Sequence, residues 1–234
     1  SCLQRRMNKT ETYFNEEQMR KEICSVGQKL YDKEYVVAND GNISVKINAQ
    51  QIILTPTGVS KGGMTPESLV KMDLDGRVLT KGAHPSSEAR MHLQVYRLNP
   101  EVKAVVHAHP PLATTFAVAR IPLDRPLLAE AIVNLGVVPV ANYALTGTEE
   151  VPKAITPFVK DYNAVLLANH GLLTWGKDLT QAFFRMESVE HYCKIIYYLK
   201  QIGPPVELDS EEVEELIDIR KKLGINAGGI PSVR

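Results

Sequence analysis

The stretch Val105-Val106-His107-Ala108-His109-Pro110 restricts this chain more than any other. An apolar, β-branched run closed by proline reads as a buried strand and its end. In a strand, residues two apart point to the same side. His107 and His109 therefore aim two imidazoles at one point. That is a way to hold a transition metal, and imidazole suits zinc among the common ions. The bland alternative is two polar residues where a strand meets solvent, and the pair alone does not decide between them.

Around this stretch the chain alternates short strands and helices. Asn15-Glu16-Glu17-Gln18 resembles a capping box, and Met19, Ile23, Val26 and Leu30 follow at helical spacing, fading before Tyr35. Ile43, Val45 and Ile47 alternate with Ser44 and Lys46, the pattern of a half-buried strand. Asn48-Ala49-Gln50 turns it into a second strand, Ile52-Ile53-Leu54. Thr65-Pro66 opens a short helix, and Asp75-Gly76 makes a hairpin between Met72 and Val78. A helix starts in Pro85-Ser86-Ser87-Glu88, carries Met91, Val95 and Leu98, and ends at Asn99-Pro100. After the histidine strand come helices over 111–119 and 127–135, a strand at 137–140, and a helix capped by Thr148 running into Phe158. An apolar strand, Ala164 to Ala168, delivers Asn169-His170-Gly171, and Leu172 to Trp175 pairs back. Two helices, 179–202 and 210–223, finish the pattern. The expectation is one α/β domain with a central, mainly antiparallel sheet flanked by helices.

Length and charge narrow the function classes. A chain of 234 residues is enough for one well-buried domain, placed at 15–224, with positions 1–14 and 225–234 as tails. Ser1 to Arg6 reads as an added leader before a natural start at Met7. With 27 basic and 27 acidic side chains, there is no electrostatic footprint for nucleic acid or an anionic membrane. No apolar run is long enough to span a bilayer. Cys2, Cys24 and Cys193 are odd in number and lack CxxC spacing, which argues against disulfides and a thiolate metal site. A reducing cytoplasm is the expected compartment.

The chemistry gathers at strand ends. His170 follows an apolar strand, as His107 and His109 do. Three protein ligands with one open position is the pattern of a catalytic rather than a structural zinc. His92 lies four residues after Glu88, so a helical ligand pair is conceivable; the plainer reading is a helix-surface residue. His84 and His191 have no partner in sequence and read as solvated or structural. Glu88 lies at a helix start, where a carboxylate suits the dipole without any catalytic role. The same first turn, with the Ser86 and Ser87 hydroxyls, is also a candidate anion site. Gly41-Asn42-Ile43-Ser44 and Thr57-Gly58 offer similar donors in turns, although turns are ordinarily built from these residues. The phosphate-loop pattern GxxxxGKS/T is absent.

Five segments occur in a family order: Gly41-Asn42-Ile43-Ser44, Thr55-Pro56-Thr57-Gly58, Pro85-Ser86-Ser87-Glu88, His107-Ala108-His109 and Asn169-His170-Gly171. In this the chain resembles the class II aldolase/adducin family, from about Asn15 to Leu223. Adducin-like members lack the metal histidines; all three are present here, which favours an enzyme over an interaction module. The resemblance implies one zinc per subunit on His107, His109 and His170, with Glu88 as the acid/base. It implies a phosphate pocket from Asn42, Thr57, Gly58, Ser86 and Ser87. It also implies a C4 homotetramer with active sites at subunit boundaries.

The implied reaction is that of L-fuculose-1-phosphate aldolase. A 1-phosphorylated ketose would be cleaved to dihydroxyacetone phosphate and a short aldehyde such as L-lactaldehyde. Such cleavage leaves a carbanion beside a carbonyl, and a metal that polarises the carbonyl is the electron sink. The alternative is a sugar-phosphate 4-epimerase of the L-ribulose-5-phosphate type, or a related phosphoketose dehydratase or decarboxylase. One departure stands out. The fuculose aldolase pattern has two tyrosines at the aldehyde end, where this chain reads Pro126-Leu127-Leu128-Ala129-Glu130 and Lys222-Leu223-Gly224. Glu130 or Tyr143 would be the polar replacement.

Overall fold

The computed structural model describes residues 11–233, so the leader, Met7 and Cys2 lie outside the described residues. Seven strands form one sheet: β1 (Asn42–Lys46), β2 (Gln51–Leu54), β3 (Val70–Asp73), β4 (Ala104–Ala108), β5 (Val140–Ala141), β6 (Ala164–Leu167) and β7 (Gly171–Gly176). Their order is β3-β2-β1-β4-β7-β6-β5, and only the β5–β6 pair is parallel. The expected single-domain α/β architecture with a mainly antiparallel sheet is the one observed.

Local chemistry explains the tight connections. Between β1 and β2, Asn48 Oδ1 accepts the Gln50 N–H at 2.9 Å, closing an Asx turn. Between β6 and β7, Asn169 takes a left-handed φ of +56°, which asparagine tolerates better than most residues.

Helices cover both faces. α1 (Glu16–Asp32), α3 (Pro111–Ala119) and α6 (Leu179–Ile202) pack on one face, against Ile43, Val45, Val106 and Leu166. α2 (Ala89–Leu98) and α5 (Glu150–Ile155) pack on the other, against Val105, Val165 and Leu173. α4 (Ala129–Asn134) and α7 (Ser210–Lys222) pack against each other. Beyond α7 the chain lies against the body: the Val137 N–H donates to the Gly228 carbonyl at 2.6 Å, and the Ser232 N–H to the Asp124 carbonyl at 2.9 Å.

Several local expectations change. β1 is buried at all five positions rather than on one face, because α2 covers the side carrying Ser44. The Asn15 side chain accepts the Gln18 N–H at 2.9 Å, but the Gln18 amide donates to Glu22, so the box is half made. The reciprocal box forms instead between Asp209 and Glu212 at the start of α7. α2 begins at Ala89, with Glu88 as the cap residue. Pro85 and Ser86 stay extended because they pair with Thr55 and Pro56 at the end of β2. The helix after Thr148 has Glu149 as its cap residue and stops at Ile155, ahead of Pro157, which has no N–H to continue it. The Thr65-Pro66 helix is a single 3-10 turn over Pro66–Ser68, and the strand placed at 137–140 is β5, preceded by a Leu123–Val138 bridge.

Candidate active site and metal centre

β4 lies at the centre of the sheet, between β1 and β7, with three strands on either side. Register places Asn42 of β1 and Leu173 of β7 opposite His107. His107 Nε2 lies 3.1 Å from His109 Nε2 and 3.2 Å from His170 Nε2, so three ring nitrogens converge. Their ligand atoms all lie within 4.8 Å of one another.

Neighbouring acceptors fix which nitrogen is free. His107 Nδ1 meets the Leu172 carbonyl at 2.9 Å; a carbonyl only accepts, so the proton sits on Nδ1. His109 Nδ1 faces the Asp40 carboxylate at 3.4 Å, which draws its proton the same way. Both arrangements turn bare Nε2 lone pairs toward the common centre. Burial, reinforced by the His170 and His109 rings, holds the His107 pKa well below the usual imidazole value. Burial also lowers that of His170, against the pull of Glu88. Neutral imidazoles are the form that binds a metal. Two lone pairs 3.1 Å apart repel unless a cation lies between them, so this donor set fits a metal ion. Gly171 makes the close approach possible. A Cβ there would lie 2.6 Å from the Ala108 carbonyl and from the His109 ring.

Glu88 stands beside the cluster. Its Oε2 is 3.2 Å from His107 Nε2, and its Oε1 is 3.4 Å from His170 Nε2. Asn42 Nδ2 donates to Oε2 at 3.0 Å, while Oε1 is buried and accepts no hydrogen bond.

Behind Glu88 runs a buried chain that the sequence did not reveal. Asn42 gives its amide to a carboxylate, so its Oδ1 must accept from His92 Nε2 at 2.5 Å. His92 Nδ1 then accepts the Ser44 hydroxyl at 2.6 Å, and Ser44 in turn accepts from Tyr96 at 2.7 Å. Each donor choice forces the next, starting from the Glu88 oxygen that accepts from Asn42. Burial pulls the His92 pKa down to about 3, which keeps it neutral in this role. His92 is therefore neither a ligand nor a helix-surface residue: it is 0% exposed and holds Asn42 in place. His84 and His191 are exposed, as expected.

Asn42, Glu88, His109 and His170 open into one cavity of about 300 Å³, which Thr57, Gly58, Ser86 and Ser87 also line. The Thr57 N–H donates to the His84 carbonyl and the Ser86 N–H to the Thr55 carbonyl, which stitches the two loops together. The Glu88 N–H is occupied by Ser86 Oγ at 3.2 Å. Part of the expected anion turn is therefore already used: the Ser86, Glu88 and Ala89 amides each have a partner within the protein. Asp40, Lys61 and Thr146 also line the cavity and were not anticipated. Leu128, Leu223, Glu130 and Tyr143 do not line it.

The comparisons agree with this geometry. Residues 21–197 match the family model described as class II aldolase and adducin N-terminal domain. The chain is 35% identical over 200 residues to 5-deoxy-D-ribulose 1-phosphate aldolase of Bacillus thuringiensis serovar kurstaki, covering 84% of this chain and 92% of that one. It is 32% identical over 206 residues to 3-oxo-tetronate 4-phosphate decarboxylase of Escherichia coli K12, covering 86% and 96%. A solved structure of L-fuculose 1-phosphate aldolase superposes with a TM-score of 0.80 at 32% identity, over 92% of this chain and 98% of that one. The chain belongs to the class II aldolase and adducin family. Its aldolase relatives and its histidine cluster make it a metal-dependent lyase of the class II aldolase type.

Proposed function

We propose that the chain is a zinc-dependent aldolase that reversibly cleaves a 1-phosphorylated ketose, of the L-fuculose 1-phosphate kind, to dihydroxyacetone phosphate and a short aldehyde. One observation carries this reading: His109, His170 and Glu88 line the same cavity as Gly58 and the hydroxyl residues Thr57, Ser86 and Ser87. A ligand with both a carbonyl and a phosphate suits that combination.

In this reading His107, His109 and His170 hold the zinc, which when bound polarises the ketone and supplies the electron sink. Glu88 is the acid/base. Oε2 is tied by Asn42, so the free Oε1 takes up the hydroxyl proton released as the carbon–carbon bond breaks and passes it to the enediolate carbon, and the reverse on synthesis. Thr57, Gly58, Ser86, Ser87 and Asn42 anchor the phosphate and so hold the reacting carbon beside Oε1.

The decarboxylase relative supports a second reading within the same chemistry. There too a carbon–carbon bond breaks to leave an enediolate, but carbon dioxide departs in place of an aldehyde. Product analysis on a panel of phosphorylated ketoses separates the readings. The aldolase releases dihydroxyacetone phosphate and an aldehyde, the decarboxylase releases carbon dioxide, and a 4-epimerase releases neither.

The described cavity lining has no tyrosine; Thr146 is a further hydroxyl in it, outside the proposed phosphate set. An apolar or sparsely polar pocket separates aldehydes differing by a methylene by only about 1–3 kcal/mol. Synthesis from dihydroxyacetone phosphate is expected to accept L-lactaldehyde and at least one other short aldehyde. Strict use of one acceptor, with the rest lower by about 10⁴ in kcat/KM, would show that a polar contact exists.

We further propose a C4 homotetramer in a reducing cytoplasm. α6 exposes Phe184, which lines a concavity of about 850 Å³ that contains none of the three histidines, and further along exposes Tyr197, Tyr198 and Ile202, the last at 82%. Apolar area of this kind is what subunit contacts cover. Cys24 and Cys193 are unpaired, which suits such a compartment. Light scattering on the purified protein is expected to give four times the 26.0 kDa chain mass; a monomer would remove this part of the reading.

A further inference from the structure

We propose that Lys61 selects for phosphorylated ligands, its buried ammonium serving as counter-ion to a phosphate held by Thr57, Gly58, Ser86 and Ser87. The inference rests on the phosphoketose reading of the cavity and deepens it.

The setting of Lys61 is unusual for a lysine. It is 1% exposed, and its Nζ donates to the Asn39 carbonyl at 3.0 Å and the Val59 carbonyl at 2.9 Å. Two of the three ammonium protons are spent on neutral acceptors. Among the described residues no carboxylate pairs with it; Asp40, the acidic neighbour, faces His109 instead. A buried charge without an ionic partner is costly, and burial accordingly pulls the Lys61 pKa down to about 8 against the field of Asp40.

The cavity has the complementary problem. Its described lining includes two carboxylates, Asp40 and Glu88, and Lys61 is the one lysine or arginine. The proposed zinc offsets these two carboxylates at the histidines, which leaves Lys61 as the side-chain cation of the described lining for a phosphate on the hydroxyls. Lys61 supplies the missing positive charge from beneath the loops that would grip the phosphate, since Val59 directly follows Gly58 and Asn39 leads into Asn42. An unphosphorylated sugar gains nothing from that charge. The competing view is that Lys61 only clamps the two loops together, in which case charged and uncharged ligands would suffer alike from its loss.

Calorimetry on the metal-loaded protein separates these views, using inorganic phosphate, dihydroxyacetone phosphate and dihydroxyacetone as probes. Lys61→Met keeps the stem and removes the charge. It is expected to weaken both phosphate probes by roughly 10- to 100-fold, the size of one charge-assisted hydrogen bond, with dihydroxyacetone and metal content unchanged. Equal affinity of variant and wild type, or an equal loss for dihydroxyacetone, overturns the proposal. If Lys61→Met does not fold, wild-type protein labelled with 15N at lysine Nζ gives the same test: phosphate must move the resonance of a buried, slowly exchanging ammonium, and an unmoved one overturns it. A wild type that binds neither phosphate probe would instead overturn the phosphoketose reading itself.

Discussion

Glu88→Gln is expected to lower kcat by about 10²–10⁴ while metal content and phosphate affinity stay at wild-type levels. The substitution is nearly isosteric, and the amide oxygen can still accept from Asn42 Nδ2, so the chain from Tyr96 to Asn42 survives. What disappears is the ability of the other atom to take up and release a proton. In the wild type that atom is Oε1, buried and without a hydrogen bond, 3.4 Å from His170 Nε2. With the phosphate on Thr57, Gly58, Ser86 and Ser87, as proposed, KM should change little, and the loss should fall on the chemical step. Steady-state kinetics with elemental analysis of the same sample is the measurement. Unchanged turnover would mean that Glu88 is a cap residue which happens to lie beside histidines.

His170→Ala is expected to abolish metal retention and, with it, activity. Losing a direct ligand should exceed the roughly 10–100-fold loss in affinity seen when only a supporting partner is removed. His170 is the informative choice among the three histidines. It sits in the β6–β7 turn, partly exposed, and the pairing of β6 with β7 does not depend on its ring. His107 is 1% exposed and satisfies the Leu172 carbonyl, so removing it would also damage the core. Elemental analysis and circular dichroism of His170→Ala together decide the point. A folded variant with full metal content would take His170 out of the site.

How much of this was legible beforehand follows from the range of each signal. Sheet and helices were readable because alternation and helical spacing are local, and both α1 and β4 announce themselves within a few residues. The convergence of His107 with His170 was also foreseeable, since each ends an apolar strand and strands of one sheet end at shared edges. The start of α2 was not, because Pro85 and Ser86 are held extended by Thr55 and Pro56, some thirty residues earlier in the chain. His92 was misjudged for a related reason. Its side of α2 includes Glu88, Val95 and Tyr96, a mixed face that reads as surface until β1 is laid across it with Ser44 pointing inward. Lys61 gave no sign at all, since a lysine near glycines is ordinarily a solvated loop residue.

The central position of β4 bears on how such a protein can change. Amides in the middle of a sheet exchange with solvent only when the whole domain opens, whereas loops at strand ends open locally and often. His107 therefore sits in the part of the chain that opens last, while Thr57 to Lys61 and Tyr143 to Thr146 sit where opening costs least. Substitutions in those loops can reshape what the cavity accepts without loosening the strand beneath. Hydrogen exchange would show this as protection in β4 equal to the global unfolding free energy. A lineage built this way can drift from one sugar phosphate to another while its ligand-bearing strand stays still.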